Sequence, residues 1–312
     1  MSGFLAFLAP AGSRKAARHV RFELVAYGPE HQDDYLGLLR EAWGPGSMTR
    51  EEFAWWFERN PSGSLRSVAL ADGNVVGVAA HTLLPMVLDG EERLASFSVH
   101  ATTHASARGQ GIFAALEAKH EREANERGVS VVLAFASTPT TPIFLGPLGW
   151  SEIGRLRVWV RPTTRPLRHE RDRGVPQLEG DIARSWPNHV VRDQEHLRWR
   201  YLDSPRGYET LLSERGYAVL WPAKLHRGRM IAVLADLAAP AEELRGLVRR
   251  AAARAASRFL FALPAPDQRA LFASLGFVPT PSTLHFMGKA LAGALDTNPR
   301  SWRFTLGDTD FF

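Results

Sequence analysis

The chain has no cysteine, only five tyrosines in 312 residues, and no apolar run of the length that crosses a bilayer. Without cysteine there are no disulfides, no thiolate metal ligands and no cysteine nucleophile. That composition is compatible with a cytoplasmic protein, and neither a metal nor a membrane is expected. Met1 to His19 begins apolar (GFLAFLAP) and turns basic at Arg14, Lys15, Arg18 and His19, the reverse of a signal peptide's order, so it reads as a tail.

What the chain does have is a modest positive balance. Lys and Arg number 38 against 33 Asp and Glu, a formal charge of +5, with a pI near 9.9. Such a balance favours anionic ligands. The arginines are spread through the chain with no aromatic-interleaved basic block, so nucleic acid is not an expected partner.

The organising stretch runs from Leu94 to Thr138. Leu94 to Thr103 (LASFSVHATT) reads as a strand, His104 to Ala107 as a polar turn, and Arg108-Gly109-Gln110-Gly111 opens an apolar-periodic helix to about Arg127. A second strand, Val129 to Ala136, closes a right-handed crossover. Glycines at the entry of such a helix let backbone N–H groups converge at its positive end, a concavity that binds phosphate oxygens.

Thr103 to Phe113 (THASARGQGIF) resembles the Arg/Gln-x-x-Gly-x-Gly/Ala loop of the GCN5-related N-acetyltransferases, which holds the pyrophosphate of acetyl-CoA. A dinucleotide fingerprint would need glycine at Ala114, and no Gly-Lys-Ser/Thr follows for a P-loop. The surroundings keep the family's order. A strand at Phe22 to Tyr27 and a helix from Glu30 to Trp43 come first. A second helix carries a Thr49/Glu52 capping box and the core aromatics Phe53, Trp55, Trp56 and Phe57. Hairpin strands at Ser67 to Ala71 and Val75 to Leu84, turning at Asp72-Gly73-Asn74, and a second turn at Asp89-Gly90 then lead to the central strand and the loop. Thr141 to Leu148 is a short helix ending in Gly149-Trp150, its FLGPLGW run resembling the segment before the family's last hairpin, and Ser151 to Val160 returns as a strand.

The second half repeats the first. Glu52-x-x-x-Trp56 with Pro61 recurs as Glu195-x-x-x-Trp199 with Pro205, and Gly73 to Val78 as Gly216 to Trp221. Val131 onward recurs at Phe259, and Leu148-Gly149-Trp150 as Leu275-Gly276-Phe277, the offset falling from 143 to 127 residues. That shortening is assigned to a tight turn at His226 to Gly228 in place of a longer Pro85 to Glu92 connection. The expected fold class is α/β, an α+β mixed sheet, in two tandem acetyltransferase-like lobes, each mostly antiparallel with a central parallel crossover. The expected segments are a tail at 1–21, an acetyltransferase domain at 22–165, a linker at 166–180, a degenerate lobe at 181–292 and a tail at 293–312. The second lobe has Glu242 and Glu243 where a phosphate loop would be, so acetyl-CoA is expected in the first lobe alone.

The resemblance implies the site. Ala101, Thr102 and Thr103 match the strand end that receives the pantetheine, with an N–H of Thr102 or Thr103 as oxyanion donor. Arg108, Gly109, Gln110, Gly111, Ile112 and Phe113 match the pyrophosphate loop. The proton carriers depart from the family pattern: no Asp or Glu occurs between Arg93 and Ala107, and no Tyr between Tyr35 and Tyr201. His100, His104 and His81, with Ser137 and Thr138, are what remains. In tandem relatives of the "enhanced intracellular survival" type a C-terminal carboxylate acts as base, which makes Phe312, Asp310 and Asp308 candidates.

The implied activity is transfer of an acetyl group from acetyl-CoA to a primary amine of a small molecule, such as an amino sugar or aminoglycoside, by a monomer or homodimer. A non-catalytic acyl-CoA sensor fits the missing acid and base. An acyltransferase of cell-wall synthesis of the aminoacyl-tRNA-dependent kind would not need the intact loop at Arg108 to Gly111. The loops at Gly44 to Thr49 and Pro85 to Glu92 are expected to border the acceptor.

Overall fold

A computed structural model describes residues 21–163, 186–226 and 228–309. In the first half, β1 (Glu23–Ala26) is followed by α1 (Gln32–Trp43), α2 (Arg50–Phe53), β2 (Ser64–Ala71), β3 (Asn74–Leu88), β4 (Glu91–Thr103), α3 (Ile112–Glu126), β5 (Val131–Ala136), α4 (Thr141–Leu145) and β6 (Ser151–Pro162). The second half runs β7 (Asn188–Val190), α5 (Gln194–Leu197), β8 (Glu209–Leu212), β9 (Tyr217–His226), β10 (Arg229–Ala238), α6 (Ala241–Arg254), β11 (Phe259–Ala262), α7 (Arg269–Ser274), β12 (Val278–Ala290) and β13 (Trp302–Arg303). Thr49 caps α2 as expected, accepting from the Glu52 amide while the Glu52 carboxylate accepts from the Thr49 amide. Both α2 and α5 continue into a π-helical turn, Ala54–Glu58 and Arg198–Leu202.

One sheet passes through both halves, in the order β1-β2-β3-β4-β5-β12-β6-β11-β10-β9-β8. The two parallel pairs on this path are β4 with β5 and β10 with β11, each joined by a helix crossover, α3 and α6. The last strand of each half is exchanged. Strand β12 pairs β5 from His285↔Ala136 to Ala290↔Val131, completing the first half's sheet, while β6 pairs β11 and takes the matching place in the second. The hairpin expected after Trp150 is thus made with a strand more than a hundred residues away.

The connection expected at Pro85 to Glu92 is strand instead. Strands β3 and β4 pair through to Leu88↔Glu91, and the turn is only Asp89-Gly90. The outer end of β3 pairs antiparallel with β7, which pairs in parallel with β13, so the C-terminal segment is tied to the first half's sheet. Phe304 lies against Phe97, Phe135 and Phe286 at 5.8, 5.2 and 4.8 Å, docking that segment on β4, β5 and β12.

Candidate active site

The site begins where β4 and β5 part. Their parallel pairing runs from Ala95↔Val131 to Ser98↔Ala134 and stops, while β4 continues to Thr103 bound only to β3. The cause is a bulge: the β3–β4 register slips between Ala80↔Val99 and Val78↔Thr102, and His100 takes the left-handed conformation, φ +50°. Residues 99–103 therefore present one edge of main chain to an opening beside β5.

The polarity of that edge follows from alternation. The His104 amide donates to Val76 of β3 at 2.9 Å, so Thr103, one residue earlier, faces the opening. Its carbonyl accepts from Arg108 Nε at 3.2 Å. Of the two oxyanion donors expected, the Thr103 amide is the one this arrangement exposes.

The strand then enters the glycine corner. After a turn of 3-10 helix at Ala105–Ala107, Gly109 and Gly111 both take positive φ, +77° and +79°, and both are open to solvent. Among the described residues nothing accepts from the amides of Gly109, Gln110 or Gly111, and Ile112, Phe113 and Ala114 begin α3, where helical geometry leaves the amides free. The side chains of Ile112 and Phe113 point the other way. Ile112 is buried under β3, where the missing Cβ of Gly77 lets it in: a Cβ there would stand 2.5 Å from Ile112 Cγ2. Phe113 packs edge-on against Phe144 of α4 at 5.5 Å. These two residues hold the helix still so that its free amides converge, an arrangement suited to a diphosphate.

The matching corner of the second half is closed. Ala239 packs against Gly216, and Glu242 and Glu243 at the start of α6 pair with Arg215.

The candidate proton carriers scatter. His100 lies on the α1–α2 face, its ring 6.0, 5.5 and 5.9 Å from Trp43, Trp56 and Phe57, and the Tyr35 hydroxyl donates to its carbonyl at 3.5 Å. Burial first, then the nearby Arg206, Lys224 and Arg200, push its pKa down to about 3. It is neutral at pH 7 and, with so low a pKa, too weak a base to strip an ammonium ion. His104 caps the 3-10 turn, bonding Ser106 at 2.7 Å, and lines a shallow cavity with Asp72, Asn74 and Ser106 on the β3 side, away from β5. Ser137 is exposed and tied into a turn with Thr140. Asp308, expected as a possible base, is instead bound in a buried ion pair with Arg192 at 2.7 Å. Phe312 and Asp310 lie outside the described residues.

Of two further groups, sequence reading named only His81 as a candidate. Under α3, His81 bonds Ser96 Oγ at 2.8 Å and Glu117 at 3.0 Å, and Glu117 accepts from Ser98 Oγ at 2.9 Å. His81, Ser96 and Glu117 are fully buried, while Ser98 lies at the last β4–β5 pair. The signal was there: Glu117 and His120 fall on the same buried stripe of α3 as Ile112 and Leu116. On the other face the second half contributes Arg200, Arg206, Tyr208, Trp221 and Lys224, layered on Trp55 and Trp56. Nothing in the sequence ties these to β4. Among the described residues no cluster of side chains suits a metal ion.

Residues 26–153 match the family model described as an acetyltransferase (GNAT) domain. A GCN5-related N-acetyltransferase from Anabaena variabilis superposes with a TM-score of 0.61 at 12% identity, over 87% of this chain and 73% of that one. One from Kribbella flavida gives 0.56 at 15% identity over 87% and 71%, and Eis1 from Mycobacterium abscessus 0.54 at 15% over 87% and 74%. At such identities the likeness speaks for the fold. No curated protein matches the chain.

Proposed function

The chain belongs, through residues 26–153, to the GCN5-related N-acetyltransferase superfamily, and on that premise we propose that it moves an acetyl group from acetyl-CoA to a primary amine of a small molecule. One observation carries the reading: the edge of β4 that leaves β5 after Ser98 and turns Thr103 to the opening runs straight into a corner of free amides at Gly109 to Ala114. Pantetheine amides can pair with the first as a strand would, and the diphosphate can sit on the second. The Thr103 amide then meets the thioester oxygen as charge develops on it.

The lack of a basic group on β4 shapes the rest. Ala95, Phe97 and Val99 make the α1–α2 face of β4 apolar, and His100 stays neutral. The amine therefore loses its proton to water before or on entry, so kcat/KM should rise with pH up to the acceptor's own pKa. We assign the second half a supporting part, as a degenerate lobe that walls the acceptor side and binds no acetyl-CoA of its own.

The same lack of a basic group on β4 supports a second reading, a protein that binds acyl-CoA without turnover. Calorimetry with acetyl-CoA followed by a thiol-release assay over an amine panel separates the two. One acetyl-CoA bound per chain, lost in Gly111→Val, with thiol release for at least one amine supports the enzyme; binding without release for any amine supports the sensor. No binding overturns both.

A further inference from the structure

We propose that the acceptor carries an anionic group, and that the second half of the chain builds its seat from Lys224 and Arg206 on the indoles of Trp56 and Trp221. This deepens the acyl-transfer reading and rests on it for the direction in which the amine points. The evidence for an anion is separate.

A continuous layer leads away from the β4 bulge. The His100 ring is 5.5 Å from Trp56; the Arg206 guanidinium lies 4.9 Å from Trp56 and 4.9 Å from Trp221; and Lys224 Nζ stands 4.3 Å over Trp221. Arg200 lies 4.4 Å over the Trp56 ring. The loop between α1 and α2, expected to border the acceptor, closes on this layer: a Cβ on Gly46 would stand 2.8 Å from the carbonyl oxygen of Leu225, the neighbour of Lys224. Trp56 and Arg206 thus link the bulge to Trp221 and Lys224 in one layer.

The charges do not balance. Three cations, Arg200, Arg206 and Lys224, share this layer with one carboxylate, Glu52, which accepts from Arg206 Nε at 2.8 Å. Arg200 Nε is committed to the Gly307 carbonyl at 2.9 Å. Among the described residues no carboxylate or carbonyl takes up the Lys224 ammonium, although its side chain is partly covered. The acids in the layer record the resulting potential. Burial alone would raise the Tyr208 hydroxyl, yet Arg200 and Arg206 bring it below its ordinary value, and Arg206 does the same for Glu52. Burial, then Arg206, draw Lys224 down to about 7. A place where two buried acids ionise more readily than in water is built for a negative group. A polyamine or a polycationic aminoglycoside would meet like charge at the same point.

The test uses the full chain and two matched pairs of amines, alanine against alaninamide and glucosamine 6-phosphate against glucosamine. Each is titrated by indole fluorescence without acyl donor, then assayed for thiol release with acetyl-CoA. The anionic member of one pair should bind at least tenfold more tightly than its partner, and which pair does so tells carboxylate from phosphate. The preference should vanish in Lys224→Met and persist in Lys224→Arg, a contrast that a folding defect at this position would not produce. Because an anion restores the ammonium's proton, binding above pH 7 should take up protons, seen as heat that depends on the buffer's ionisation enthalpy. Equal binding within both pairs, or a preference that survives Lys224→Met, overturns the proposal. A preference in binding with no thiol release for any amine upholds the anion seat and sinks the acyl-transfer reading instead.

Discussion

Trp55 and Trp199 exchange hydrogen bonds, each indole N–H donating to the other's main-chain carbonyl, at 2.6 and 2.9 Å. Both residues are buried, and each is the second residue of its π-helical turn, so the contact is reciprocal across the two halves. The repeat expected from the sequence pairs Trp199 with Trp56; the structure pairs it with Trp55, one residue over. Trp199→Phe leaves the buried Trp55 carbonyl without its donor, and we expect a loss of about 1–3 kcal/mol in urea unfolding. Trp55→Phe should cost a similar amount, with a non-additive double mutant. Additive losses would mean that the two bonds do not act as one joint.

Gly77 sets how closely α3 approaches the sheet. A methyl group there collides with Ile112, so Gly77→Ala should destabilise by about 1–3 kcal/mol and weaken acetyl-CoA binding by tilting the helix whose amides are proposed to hold it. Trimming the obstacle in Gly77→Ala/Ile112→Val should recover part of both. If calorimetry shows unchanged affinity in the single variant, the corner does not depend on that packing.

Arg192 is a buried cation held by two carboxylates, Asp236 at 3.0 Å and Asp308 at 2.7 Å, with the hydroxyls of Tyr201 and Tyr217 also donating to Asp236. Replacing it with methionine strands both acids in the interior, and a loss of roughly 3–5 kcal/mol is expected from thermal or chemical melts. The segment from Trp302 to Thr309 should loosen first, visible as early proteolytic cleavage there. A variant as stable as the parent would show that the carboxylates find water.

Acid should unfold the protein partly through His196. Its ring is buried against Trp199, its Nε2 has no hydrogen-bond partner among the described residues, and burial, then Arg192, hold its pKa at about 3. Between pH 3 and 6.5 the unfolded chain binds the proton that the folded one refuses, so stability falls as pH drops through that window. His196→Leu removes this term, and its stability should change less between pH 6.5 and 4 than that of the parent. An unchanged slope would place the acid sensitivity elsewhere, Asp236 being the first alternative, since its depressed pKa also loses stability in acid.

The parts legible in the sequence were those written locally. The Thr49/Glu52 cap, the Asp72-Gly73 turn and the strand–glycine–helix unit at Leu94 to Ala136 each follow from residues within a few positions of one another. The bulge at His100 was not legible, because nothing in LASFSVHATT marks which residue slips. The Asp89-Gly90 turn is legible, but the longer connection expected at Pro85 to Glu92 is not there: Pro85 pairs with Leu94 within strand and the turn needs only two residues. Lys224 and Arg206 stayed invisible as site residues because their place beside Trp56 is decided by how the halves meet, more than a hundred residues away in sequence.

The exchange of β6 and β12 makes the two halves mutually dependent in time as well as in space. On a ribosome the first half emerges with β5 paired to β4 but lacking its second neighbour, and that gap closes only when residues 278–290 arrive. Until then the strand that flanks the opening beside β4 has a raw edge, ready to pair with any stray extended segment. A chain truncated before that point is left with an unfinished sheet.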